Sequence, residues 1–298
     1  NNYTEAGNAF QTYIKLRPDK ADPYNSYAEL LLKMGKYDES IAEFKKALEK
    51  DPTYTNSLAG IGNSYIFKGN YESARKYYQD YFEKTADIGG KLYALSLKAI
   101  SFLHEGKINE AIRTLDDRSA LAEKENQIPE SIYSVADQRF IYTETGNPAE
   151  GMKYCDKSNG LIEKAKVTEA EKENLIRLST GWHIYNLIAL GEIDQASTEL
   201  EKYKKKYESL KQPVDEKEVN FYMGYSELKR GNYENAIRYY SKTDTIQAPF
   251  NWYCIAVAYN KKGDKKNASK YFEKIASLNV NSLGLAIFRK RAIEALKK

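Results

Sequence analysis

Along residues 24–31 the apolar positions Tyr24, Tyr27, Ala28 and Leu31 fall at i, i+3, i+4 and i+7, one stripe along a helix. Gly35 interrupts the pattern, and a second stripe begins with Tyr37 and continues through Phe44 and Ala47. The same order returns at Leu58, Ile61, Gly62 and Tyr65, then Gly69, then Tyr71, Ala74 and Tyr78. It returns again at Trp252, Ile255, Ala256 and Tyr259, then Gly263, then Ala268 and Phe272. A glycine that opens a second amphipathic helix recurs at Gly35, Gly69, Gly106, Gly146, Gly191, Gly231 and Gly263, with spacings of 34, 37, 40, 45, 40 and 32 residues. A period in this range predicts an all-α stack of helical hairpins, each packed on its neighbours.

Small residues recur where paired helices must approach: Ala28, Gly62, Ala99, Gly224 and Ala256 on first helices, Ala74, Ala111, Ala196, Ala236 and Ala268 on second helices. Pro18 and Pro52 close second helices or open the next unit. The middle units depart from the pattern. Around Gly146 the first-helix stripe reads Val135, Gln138, Arg139 and Tyr142, and around Gly191 it reads Thr180, His183, Ile184 and Leu187. These units are longer, which predicts extra helical turns near 115–128, 156–176 and 200–212. Residues 1–18 repeat only the second-helix pattern, so the chain reads as cut from a longer protein. Residues 282–298 form an amphipathic helix with Leu285, Phe288, Ala292 and Leu296 on one side, the expected cap of the last hairpin. The predicted organisation is one array over 1–298: a half repeat at 1–18, seven repeats over 21–280 and a capping helix at 282–298.

The stretch WYCIAVAYNKKGDKKNASKYF in 252–272 resembles the tetratricopeptide signature W-x2-L-G-x2-Y followed by an interhelical Gly and A-x3-F. The resemblance covers nearly the whole chain and implies a right-handed α-solenoid that acts as a protein–protein interaction scaffold. In this family the first helix of each hairpin lines the concave side. Transferring that arrangement places Asp22, Asn25, Glu29, Lys33, Asn56, Ala59, Asn63, Phe67 and Tyr93 along the early groove. The later groove becomes aromatic, and the resemblance implies partner-binding positions at Tyr133, Phe140, Trp182, Tyr185, Phe221, Tyr222, Tyr225, Phe250 and Tyr253. An extended or helical segment is expected there. Arrays that hold acidic chaperone tails use Lys, Asn and Arg where this chain has Asn25, Glu29, Gly60, Tyr93 and Leu97, so that specificity is not carried over.

Composition changes this picture little. The net charge of +4 gives no reason to expect a nucleic-acid partner, although residues 249–298 hold 11 Lys and Arg against 3 acids. Cys155 and Cys254 lie in apolar helical patterns and read as packing residues, without a disulfide framework. His104 and His183 lack a second ligand at metal spacing, and no H-E-x-x-H, C-x-x-C or G-x-S-x-G motif occurs. Gly89-Gly90-Lys91 reads as a turn between helices. No catalytic residue, cofactor or metal site is expected, and no apolar run has the length of a membrane span. Other readings stay open: a ligand- or peptide-sensing domain of a regulator, an accessory region of an enzyme, or RNA contact through the basic end.

Overall fold

The structure is a computed structural model that describes residues 2–243 and 248–297. Among the described residues there are sixteen helices and no strand. They are α1 (Tyr3–Leu16), α2 (Asp22–Lys33), α3 (Tyr37–Lys50), α4 (Asn56–Phe67), α5 (Tyr71–Lys84), α6 (Ile88–Glu105), α7 (Ile108–Lys124) and α8 (Ile128–Glu144). They continue with α9 (Pro148–Lys164), α10 (Glu169–Leu190), α11 (Ile193–Ser209), α12 (Glu216–Arg230), α13 (Tyr233–Tyr240), α14 (Pro249–Lys261), α15 (Lys265–Ala276) and α16 (Leu283–Ala295).

Each of the seven turn glycines takes a left-handed φ, from +75° at Gly69 to +98° at Gly146. The residue after each glycine donates its backbone N–H to a carbonyl five residues back, as Lys107 does to Phe102 at 2.8 Å and Asn147 to Tyr142 at 2.8 Å. That bond satisfies a carbonyl left over at the helix end and fixes the exit of the chain, so the same turn is made seven times. The extra turns expected in the middle units are present in α7, α9, α10 and α11, of 17, 17, 22 and 17 residues. Between α9 and α10 the helix breaks, and Thr168 and Glu171 form a reciprocal capping box that starts α10. Gly89 and Gly90 are not an interhelical turn. They lie in the first turn of α6, where the Asp87 carboxylate accepts the Gly90 N–H at 2.7 Å.

The chain divides into two compact units. Unit 1 comprises Asn1–Glu125 and Leu278–Ala286; unit 2 comprises Asn126–Ser277 and Ile287–Lys298. In unit 1 the core runs through Ala28, Ile41, Phe44 and Ile61, then Leu58, Ala74, Tyr78, Tyr81 and Leu97. In unit 2 one cluster gathers Ile184, Tyr185, Leu187, Leu200, Tyr203, Tyr207, Tyr222, Tyr225, Tyr240 and Ile255. The faded stripe of α8 has a physical cause: Ser131, Ser134, Gln138, Arg139 and Thr143 are all buried there. The Asn186 amide oxygen of α10 accepts from Arg139 at 3.1 Å and from the Thr143 hydroxyl at 2.7 Å. These pairings offset much of the cost of burying polar groups, although the Arg139 Nε is buried without a hydrogen-bond partner and part of that cost stays.

Candidate functional site

In unit 2 the first helices α8, α10, α12 and α14 direct their rings to one side. Tyr185 stacks on Tyr225 at 5.1 Å and on Phe221 at 6.0 Å, and meets Phe250 at 5.6 Å and Phe140 at 6.3 Å. Phe221 also meets Phe250 at 5.5 Å and Tyr222 at 5.3 Å. Seven of the nine aromatic positions are thereby joined: Phe140, Tyr185, Phe221, Tyr222, Tyr225 and Phe250 directly, and Tyr253 through Phe288, which lies 5.4 Å from Phe250. Trp182 sits apart, beside Ile132, Ile162 and Leu175, with the Arg139 guanidinium between it and Tyr185. Tyr133 is exposed, and among the described residues no ring contact joins it to the cluster.

The face is already covered in part. The helix α16 was expected to cap the last hairpin. Its Phe288 stacks on Tyr253 of α14, the first helix of that hairpin, at 5.0 Å and also reaches Phe140 of α8 at 6.3 Å, so from Ile287 onward it lies against first helices of unit 2. Phe288 and Ala292 are buried, whereas Leu296, expected inward, is 37% exposed. Arg291 donates to the Glu144 backbone carbonyl and lies 3.7 Å from its carboxylate. Tyr185 donates its hydroxyl to the same carboxylate. Tyr185, Tyr222 and Tyr225 are buried in the core cluster that α10 to α14 share, and desolvation pushes their phenols well above their ordinary pKa. Burial also raises the Glu144 carboxyl, against the pull of Tyr185 and Arg291.

Two clefts remain open beside Tyr253. One, of about 320 Å³, is lined by Glu144, Tyr225, Lys229, Phe250, Tyr253 and Lys261. The other, of about 610 Å³, is lined by Tyr253, Val257, Lys261, Phe272, Arg291 and Leu296. Ring faces and stems of lysine make such clefts amphipathic, suited to an apolar anchor beside an anionic group. Burial pushes the Cys155 thiol up to about 11 and the Cys254 thiol higher still, which keeps both protonated and unreactive at neutral pH.

In unit 1 the polar groove positions converge on a cleft of about 380 Å³ lined by Glu29, Lys33, Asn56, Ala59, Asn63 and Tyr93. Asn279, Val280 and Asn281 of the α15–α16 connection form part of its wall. Those three, together with Arg291 and Glu144, escaped sequence reasoning: periodicity marks an apolar face but does not say where a tail will dock. The one available signal was the Asn-Val-Asn run in a stretch of 278–282 that breaks the helical pattern. Among the described residues no group of three or more His, Cys, Asp and Glu could hold a metal ion, and no helix is long and apolar enough to cross a membrane.

Family models described as tetratricopeptide repeat match residues 1–55, 31–99 and 251–280. Human tetratricopeptide repeat protein 13 is 26% identical over 111 residues, which are 37% of this chain and only 12% of the length of that relative. The crystal structure of aspartyl phosphate phosphatase F from Bacillus subtilis superposes with a TM-score of 0.59 at 17% identity, covering 92% of this chain and 75% of that one. A tetratricopeptide repeat protein from Parabacteroides merdae gives 0.52 at 14% identity, covering 93% and 97%. At these identities the likeness is one of fold. Arrays of this kind are typically scaffolds without catalytic groups, although the Bacillus neighbour is named a phosphatase.

Proposed function

The chain belongs to the tetratricopeptide repeat family, whose repeats generally mediate protein–protein interaction, and from that premise we propose that the aromatic face of unit 2 binds a segment of a partner protein without catalysing a reaction. The observation that supports this most is α16 itself: a helix with Phe288 and Arg291 at i and i+3 is already seated on the rings, so the face fits a helical segment of that chemistry. Of the nine positions, Tyr225, Phe250 and Tyr253 line the open cleft and are the direct contacts. Phe140, Tyr185, Phe221 and Tyr222 back them from beneath, Trp182 holds Arg139, and exposed Tyr133 extends the surface. An anchor ring buried here contributes about 1.5–3 kcal/mol, and Lys229 and Lys261 favour a partner with carboxylates beside it.

The test begins with affinity capture by the wild-type chain and identification of the captured protein, followed by titration of that protein against Tyr253→Ala and Lys261→Glu. Affinity should fall about tenfold or more in each variant, and in Lys261→Glu, which removes no ring packing, the thermal midpoint should stay near the wild-type value. Undiminished affinity in both would remove the aromatic face as the binding site.

A further inference from the structure

The non-helical stretch 278–282 is held by unit 1 through its side chains. The Tyr37 hydroxyl donates to the Asn279 amide oxygen at 2.9 Å, and the Asn279 amide nitrogen faces the Lys33 carbonyl at 3.4 Å. Two residues on, the Asn281 amide nitrogen donates to the Asn63 amide oxygen at 2.8 Å and to the Tyr78 hydroxyl at 3.1 Å. The Asn281 amide oxygen lies 3.1 Å from His104 Nε2. Both donors of one carboxamide and its acceptor are thus matched at once.

The match is selective. Tyr78 spends its own proton on the Asn63 oxygen at 2.8 Å, so it meets Asn281 as an acceptor. Both groups facing the Asn281 nitrogen therefore accept, and only an N–H can satisfy them. An aspartate there would set an anionic oxygen against two acceptors. The partners are also fixed in place: Tyr37 stacks on Phe67 at 5.9 Å, His104 stacks on Tyr71 at 6.4 Å, and Tyr78 is buried. Rings held in this way present their polar atoms with little ordering left to do. Beside the seated segment the cleft lined by Glu29, Asn56 and Tyr93 remains open, so the groove is larger than its present occupant.

We propose that this face of unit 1 is a recognition site for a peptide carrying two asparagines at i and i+2, and that Leu278–Ser282 of the same chain is its resident ligand. The site is separate from the aromatic face of unit 2. A tethered ligand of this kind acts at an effective concentration on the order of millimolar, so a free peptide competes only weakly until the resident side chains are removed.

The probe is a fluorescent peptide of residues 276–284, ASLNVNSLG. Its affinity for the full chain carrying Asn279→Ala and Asn281→Ala should exceed that for the wild type about tenfold. Adding Asn63→Ala to that variant should remove the gain, and a peptide with aspartate at both asparagine positions should not bind. Equal affinity for wild type and variant, no binding to either, or equal binding of the aspartate peptide would each overturn the proposal. Wild-type protein supplies a second measurement that does not depend on the folding of the double variant. Excess ASLNVNSLG should accelerate amide exchange across 278–283, and unchanged exchange at peptide concentrations above the tether's own would also overturn it.

Discussion

A hydrogen atom in place of a side chain at position 62 lets the Tyr78 ring lie against α4: a Cβ there would fall within contact-forbidden distance of three ring atoms. Gly60 makes the same allowance for Phe44. Both rings belong to second helices and are almost wholly buried. Gly62→Ala is expected to destabilise unit 1 by about 1–3 kcal/mol through overpacking, read as a lower urea midpoint with an unchanged slope. It should also weaken the hold on Asn281, because the displaced ring carries the hydroxyl that accepts from it. The small residue at 62 was legible from its recurrence with Ala28, Ala99 and Ala256. What it accommodates was not, since spacing along one helix does not specify the ring that a second helix brings to it.

Among the helices, α10 shows how a start signal can be read and then tested. The Thr168 hydroxyl accepts the Glu171 N–H at 3.3 Å, and the Glu171 carboxylate accepts the Thr168 N–H at 2.9 Å. Thr168→Ala should cost about 1 kcal/mol and should speed amide exchange in the first turn of α10, leaving its C-terminal turn at Gly191 unaffected. Equal exchange along α10 in both proteins would show that tertiary packing, not the cap, sets its start. The seven turns could be placed in advance because a left-handed residue after an apolar stripe strongly favours glycine. The packing of α8 could not, because the residues it buries include Ser134, Gln138 and Arg139, which carry no hydrophobic period. The amphipathic character of α16 was equally plain, but an apolar stripe does not distinguish the outer end of a last hairpin from the rings of α8 and α14.

At the scale of the whole molecule the carboxylates respond to acid in two opposite ways. Asp51 and Asp87 are held below the usual range by hydrogen bonds, Glu105 chiefly by Lys107 with Arg75, and Asp264 by Asn267. Their contribution to stability is present at neutral pH and is lost as pH falls through their lowered values. Glu144 runs the other way. Desolvation by the aromatic face lifts it above the ordinary 4.5, although Tyr185, Arg291, Lys229 and Arg139 all pull it down. The folded chain therefore binds that proton more tightly than the unfolded chain does. Its burial is most costly while it is ionised, above the raised value, and the cost disappears as pH falls from that value toward 4.5. Glu144→Gln removes the titration and keeps the shape. The stability of the variant relative to wild type should accordingly be greatest near neutral pH and should decline on acidification, while both proteins weaken together as the other carboxylates protonate. Urea midpoints for the two proteins across this range provide the measurement. A difference that is independent of pH, or that grows in acid, would mean that Arg291 and Tyr185 compensate the buried charge completely, and that α16 holds its place on the rings by ion pairing rather than by the packing of Phe288.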